Sequence, residues 1–206
     1  MNIKIKISRK PVEYSKAINY LEKRVKSIQK QKNDELLWIC SHPDTYTAGV
    51  SSKNDEILDK NINIIKTNRG GKITWHGPGQ KIFYFVINLA KRDRDIRKFV
   101  NIIEKTIIDT LEEYKISAFS DRKNIGIWIK KKNKILKIAA IGIKVKKWIA
   151  YHGFSVNIDN DLQKYEKIIP CGVKNKGVTN LMEIKKQNFK NFENIIIKNF
   201  LENLKS

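Results

Sequence analysis

The chain has 206 residues, 41% of them apolar, with 42 Lys and Arg set against 21 Asp and Glu for a formal net charge of +21. That length supports one domain with a real core, the apolar content excludes intrinsic disorder, and two cysteines exclude a disulfide framework. The charge favours acidic partners, whether nucleic acid, anionic membrane or acidic protein, but Lys, Ile and Asn are over-used throughout, so part of it is compositional.

The start, Met1 to Ile7, alternates charge with Ile and lacks the apolar core of a signal peptide. No run approaches the length of a membrane span. The expectation is a soluble, cytoplasmic protein in a reducing compartment, monomeric by default and without a membrane partner.

Residues 2–7 read as an edge strand. Ala17, Leu21, Val25 and Ile28 then fall at helical spacing. Leu36 to Cys40 reads as a buried strand running into a Pro- and Gly-containing loop, Ser41 to Gly49. Ile62 to Lys66 is a short strand entering a glycine-rich loop, and Lys81 to Leu89 is a strong apolar strand leaving it. Ile96, Val100, Ile103, Ile107 and Leu111 mark a second amphipathic helix. Ile125 to Ile129, Ile135 to Val145 and Trp148 to Val156 carry β-branched residues and read as strands, with residues 130–134 as an exposed hairpin turn. Asp161 to Tyr165 is a short helical turn, and Phe192, Ile196, Phe200 and Leu204 give a closing helix. Strands and helices that do not strictly alternate predict an α+β fold, a mixed sheet flanked by helices in one domain over 1–206.

The most informative segment is Arg69-Gly70-Gly71-Lys72-Ile73-Thr74-Trp75-His76-Gly77-Pro78-Gly79-Gln80. Glycine lets a backbone approach a ligand closely, and a plain turn needs only one or two such residues. The segment therefore reads as a shaped binding surface. Three further segments accompany it: Lys137-Ile138-Ala139-Ala140-Ile141-Gly142, Tyr151-His152-Gly153-Phe154, and Pro170-Cys171-Gly172 leading to Gly177-Val178-Thr179.

These residues, with His42-Pro43 and Tyr46-Thr47-Ala48-Gly49, resemble the lipoyl(octanoyl) transferase family in motif and order, from His42 to Thr179. Asn180 departs from the pattern, standing where family members usually carry Ser, and Cys40 stands where an acidic residue is common. The resemblance implies the biotin/lipoate protein ligase catalytic fold. It also implies transfer of an octanoyl group from octanoyl-acyl carrier protein, through a Cys171 thioester, to a lysine of lipoyl domains. Those domains belong to 2-oxoacid dehydrogenases and the glycine cleavage H protein. Lys137 is implied as the partner of Cys171. The acyl chain is implied to lie along Arg69, Gly70, Gly71, Lys72, Ile73, Thr74, Trp75 and His76, along Ala140, Ile141 and Gly142, and along His152, Gly153 and Phe154. No metal, nucleotide or dissociable cofactor is implied.

The chemistry of the residues is consistent with this reading. A free Cys, with a pKa of about 8.5, is mostly thiol at neutral pH, and a nearby ammonium stabilises its thiolate. The thiolate is a nucleophile toward a thioester, and a neutral Lys137 is a candidate acceptor for the proton of the incoming amine. Backbone amides near Gly71, Gly142 or Gly172 are candidate oxyanion donors. Cys40, following Leu-Trp-Ile, reads as a small buried hydrophobe. His76 reads as a contact to substrate ahead of a general base or a residue pinning its loop, His42 as loop packing, His152 as shaping the backbone beside Gly153, and Arg69 as tying down its own loop ahead of anchoring a carrier-arm phosphate. The three histidines lack zinc-ligand spacing.

Two other readings compete. An ATP-dependent lipoate or biotin ligase shares the fold but needs no cysteine nucleophile. A non-catalytic nucleic-acid-binding module is suggested by charge alone and carries no recognisable motif, so nucleic acid is not expected as a partner. Acidic carrier proteins and lipoyl domains make a better use of the basic surface.

Overall fold

The computed structural model describes residues 2–169 and 177–205. Its main body is a mixed sheet. In chain order the strands are β1 (Ile3–Ile7), β2 (Glu35–Cys40), β3 (Thr45–Ala48), β4 (Ile64–Lys66), β5 (Ile73–His76), β6 (Gln80–Asn88), β7 (Phe119–Ser120), β8 (Ile127–Lys131), β9 (Lys134–Lys146), β10 (Ile149–Asn157) and β11 (Gly177–Val178). The large sheet runs β1-β2-β6-β10-β9-β8-β7, with β11 paired to β9, and a second sheet runs β4-β3-β5. β1 lies parallel to β2 and β11 parallel to β9. The β2–β6, β6–β10, β10–β9, β9–β8 and β8–β7 pairs are antiparallel.

The helices α1 (Tyr14–Gln29), α2 (Ile96–Glu113) and α4 (Phe192–Asn203), with the single turn α3 (Leu181–Ile184), cover the large sheet. α1 presents Ala17, Leu21, Val25 and Ile28 to one face, where they join Leu36, Trp38, Ile82, Tyr84, Val86 and Tyr151. α2 and α4 pack on the other face, where Phe99, Ile103, Ile107, Phe192, Ile196 and Phe200 surround Phe83, Phe85, Ile87 and Phe154. The central strand β6 is thus covered on both sides, which explains its near-continuous apolar run from Ile82 to Ile87. Asp95 caps α2, its carboxylate accepting from the Arg97 and Lys98 amides.

The strands and long helices expected from the sequence are present. The small sheet is the difference. Residues 41–49 and 69–80 read as loops from their Gly and Pro content, yet Thr45–Ala48 and Ile73–His76 pair as antiparallel strands. The apolar residues Tyr46, Ile73 and Trp75 between the turn formers bury against Tyr165 and Ile168 to form a small core of their own. Tertiary burial outweighs the local turn signal there.

Phe85 is fully buried, stacked on Phe200 at 6.1 Å and edge-on to Phe99 at 5.1 Å between ring centroids. Phe85→Ala is expected to destabilise the fold by about 3 to 5 kcal/mol. Denaturant unfolding measures this, and a loss below about 1 kcal/mol, the cost of an ordinary surface change, contradicts the placement.

Candidate functional site

A cavity of about 580 Å³ lies on the α1 face of the large sheet. Its floor is made of small residues. Ala140 and Gly142 of β9 lie beside Ser155 and Gly153 of β10, which lie in turn beside Ile82 and Tyr84 of β6. Arg69 to Thr74 and His76 form the opposing wall, and Tyr14 reaches in from the first turn of α1. The side chains of Phe154 and Ile141 alternate to the other face and pack in the α2/α4 core. Trp75 is not among the cavity-lining residues: it sits in the small core, its indole donating to the Asp44 carboxylate. The other expected binding residues within the described chain all line the cavity.

The glycine loop is held down at several points. The Gly70 amide donates to the Ile143 carbonyl of β9 at 3.0 Å. Arg69 is 8% exposed, and its guanidinium donates to the Thr47 carbonyl, the Thr47 hydroxyl and the Gly70 carbonyl at 3.0, 2.8 and 3.0 Å. That geometry ties the loop to β3. Lys72 pairs with the buried Glu56 carboxylate at 2.7 Å.

Lys137 is 6% exposed, and its ammonium donates to the Ile125 carbonyl at 2.9 Å with the Trp128 ring centroid 5.1 Å away. A register shift aims it. Ile127 pairs with Ala139 but Trp128 pairs with Lys137, so Ile138 is an extra residue on β9. Strict alternation would put Lys137 on the same face as Ala139, in the α2/α4 core; the bulge turns it to the cavity side with Ala140 and Gly142. Gly126, at φ +136°, leaves room for it: a Cβ there would lie 2.3 Å from the Lys137 Cε. No sequence signal marked that glycine. Sequence reasoning also missed Tyr14, Ile82, Tyr84, Asn124, Ile125 and Ser155 as cavity residues. All but Asn124 and Ser155 look like ordinary core positions; for Ile82 and Tyr84 only cross-strand register shows what they face.

Cys171 lies outside the described residues, as does Gly172. The chain on either side of that segment is anchored beside the cavity residues. The Ile169 amide donates to the Glu56 carbonyl at 2.8 Å. Val178 pairs with Lys137, and the Thr179 amide donates to the Lys137 carbonyl at 2.9 Å. Since β8 occupies one edge of β9 at Lys137, β11 takes the other, continuing the line of β10 past Val156. Asn180 caps α3, its side-chain oxygen accepting from the Glu183 amide at 2.8 Å, a task a Ser hydroxyl also performs. Cys40 is 1% exposed, and burial raises its thiol pKa to about 12, so it is inert as a nucleophile.

The histidines form a buried polar wall. His42 donates from Nδ1 to the Val12 carbonyl, so its Nε2 accepts from the Tyr84 hydroxyl at 2.7 Å. His76 donates from Nδ1 to the Gln80 side-chain oxygen at 2.7 Å, because the Gln80 amide nitrogen is committed to Asn157 and Tyr165. Tyr14 stacks on His76 at 6.0 Å and meets His42 edge-on at 5.3 Å. His152, at φ +70°, donates from Nε2 to the Asn68 oxygen at 2.7 Å, while the Asn68 amide reaches Glu22 at 3.0 Å. His152 Nδ1 is buried and has no hydrogen-bond partner among the described residues. Burial lowers the pKa of both His76 and His152 to about 3, with Arg69 adding to the shift at each.

The matches with known proteins agree with this architecture. The family described as Lipoyl protein ligase A/B catalytic domain matches residues 13–201. The octanoyltransferase of Wolbachia from Brugia malayi is 41% identical, covering 94% of this chain and 96% of its own. That of Anaplasma phagocytophilum is 39% identical, with 97% and 98% covered. A lipoate-protein ligase A bound with ATP superposes with a TM-score of 0.78 at 18% identity, over 100% of this chain and 86% of its own. A bipartite lipoate protein ligase of Thermoplasma acidophilum, studied with its E2 lipoyl domain, gives a TM-score of 0.78 at 16% identity, over 100% and 84%.

The family match over residues 13–201 puts the chain among the lipoyl protein ligase A/B catalytic domains, with α+β architecture and a mixed sheet. At the sequence level the chain belongs to the lipoyl(octanoyl) transferase family.

In the unfolded chain the imidazoles titrate near pH 6.5, and in the folded chain His76 and His152 titrate near pH 3. The unfolded state therefore binds more protons across that window. Stability should be constant above it and fall as pH drops through it, by about 1.4 kcal/mol per pH unit for each imidazole. Histidine ring resonances and denaturant midpoints against pH read this, and a His76 or His152 resonance titrating near pH 6 contradicts it. Separately, Gly126→Ala should displace the Lys137 ammonium from Ile125. A crystal structure of that variant with Lys137 unmoved would contradict the steric argument.

Proposed function

We propose that this protein moves an octanoyl group from octanoyl-acyl carrier protein to a lysine of lipoyl domains, through a thioester on Cys171. The observation that carries the reading is the placement of Lys137. A bulge aims this ammonium-bearing side chain into a cavity with a small-residue floor, and the chain returning from the Cys171 segment pairs directly beside it at Val178. The names of the relatives support the acyl group.

In the first half-reaction the Cys171 thiolate attacks the donor thioester carbonyl. A new carbon–sulfur bond forms, the bond to the carrier breaks, and the carrier thiolate leaves and takes a proton from the Lys137 ammonium, which leaves Lys137 neutral. One thioester replaces another, so the step is close to neutral in energy. In the second, the acceptor lysine amine attacks the acyl-enzyme. A carbon–nitrogen bond forms, Cys171 leaves as thiolate, and the amine proton passes to neutral Lys137. The acyl tail lies on the floor of Ala140, Gly142, Gly153 and Ser155, with Arg69 holding the covering loop. The formal charge of +21 steers acidic carrier and lipoyl domains toward the cavity. No dissociable cofactor or metal takes part.

The test incubates the protein with octanoyl-acyl carrier protein in the absence of ATP and records the intact mass. The expected result is one octanoyl adduct, absent in Cys171→Ser and discharged by a lipoyl domain. Lys137→Ala should keep the fold and lose transfer by at least about a hundredfold, the usual scale of a general acid–base group. No adduct, together with transfer from octanoate and ATP, overturns the reading in favour of a ligase.

A further inference from the structure

Two cross-strand rows make up the floor of the cavity, and they read alike. Ala140 of β9 sits beside Ser155 of β10, which sits beside Ile82 of β6. Gly142 sits beside Gly153, which sits beside Tyr84. Each row runs small, small, large. The step from small to large falls on the same strand in both rows, so the open floor ends in a wall along β6.

We infer that this wall, Ile82 and Tyr84 with Tyr14 closing over them, measures the acyl chain and sets the length the protein accepts. The inference rests on the proposed octanoyl transfer and assigns a specificity role to residues outside the glycine loop and the Lys137 strand.

The dimensions support it. Adjacent strands lie about 4.8 Å apart, so the span from β9 across β10 to β6 is about 10 Å. An extended saturated chain advances about 1.3 Å per carbon from standard bond geometry, so about eight carbons cover that span.

The two rows differ in stiffness. The Tyr84 hydroxyl is bonded to His42 Nε2, and His42 is itself fixed on the Val12 carbonyl. Tyr14 is held by its hydroxyl on Thr67 at 3.1 Å and by its stack on His76. Both aromatic groups are pinned by polar contacts that an arriving methyl group cannot displace. Ile82, 2% exposed, is held by packing alone on the row whose floor is Ser155, and behind it on β2 stands Cys40. Trimming Ile82 opens the wall, and enlarging Ser155 moves the stop one strand closer.

The experiment offers the protein an equal mixture of six-, eight-, ten- and twelve-carbon acyl-carrier-protein thioesters. Mass spectrometry reads the ratio of products on a lipoyl domain. A ratio within one mixture is insensitive to loss of active protein. Ile82→Ala should raise the ten-to-eight ratio by about tenfold or more, the scale of a methylene or two in an apolar pocket. Ser155→Leu should raise the six-to-eight ratio by a similar factor. Val86→Ala removes a buried side chain from the same face of β6 away from the cavity, and should leave all ratios within about twofold of the starting protein. If Ile82→Ala does not fold, Ile82→Val should shift the ratio in the same direction by about threefold.

Unchanged ratios in folded Ile82 and Ser155 variants overturn the length gauge. A starting protein inert toward every thioester overturns the transfer reading instead. Competition among free fatty acids of the same lengths, followed by calorimetry, then reads the gauge independently: it fails if the two variants bind them with the starting protein's preference.

Discussion

Close approach of backbone to backbone governs this molecule. The glycine loop lies almost on the sheet, and the cavity is enclosed between them. The Gly70 amide bonds directly to β9, and a Cβ on Gly49 would stand 2.3 Å from the Gly71 carbonyl oxygen. Any side chain at those points would push the loop outward and open the cavity to water. The buried Arg69 guanidinium then locks the loop to β3, satisfying carbonyls that would otherwise be stranded. The small sheet exists to hold the loop in this position, and its compact core of Tyr46, Ile73, Trp75, Tyr165 and Ile168 supplies the burial that keeps it there.

From that constraint follows a division of labour across the large sheet. Phe83, Phe85 and Phe154 fill one face with helices α2 and α4, giving a continuous core that needs no contribution from the cavity side. The other face is free to be sparse at Ala140, Gly142, Gly153 and Ser155, and large where α1 packs on β2, β6 and the start of β10. A cavity of this size would be costly inside a single core. At the boundary between helix-covered and loop-covered sheet it costs far less, because the small floor residues never had partners to lose.

Much of this was legible in the chain, and the reasons are specific. Helix periodicity in Ala17 to Ile28 and Ile96 to Leu111, and β-branched runs from Ile135 to Val156, gave the elements because burial repeats with the period of the backbone. The glycine loop declared itself because close approach tolerates so few residue types. Other features stayed hidden for physical reasons. The strands Thr45–Ala48 and Ile73–His76 carry turn formers on either side, and only the burial of Tyr46 and Trp75 against Tyr165 selects the extended form. The bulge at Ile138 is set by pairing with β8, which local sequence does not encode. Ile82 and Tyr84 are indistinguishable by sequence from their neighbours Val86 and Ile87, because what matters is the residue across the ladder.

The same buried polar groups that make the site rigid also fix its chemistry. His42, His76 and His152 each spend one ring nitrogen on an oxygen acceptor, which sets the tautomer and leaves the other nitrogen as a lone pair. Burial keeps these rings neutral, so His76 and His152 add no positive charge to the cavity they line, and Lys137 lines it from the β9 side. Charge at the cavity is carried instead by Arg69, Lys72, Lys123 and Lys137, which all line it, and β11 pairs with β9 beside Lys137. The bulge in β9 lets one strand supply both a small-residue floor, at Ala140 and Gly142, and an ammonium three residues from it, at Lys137.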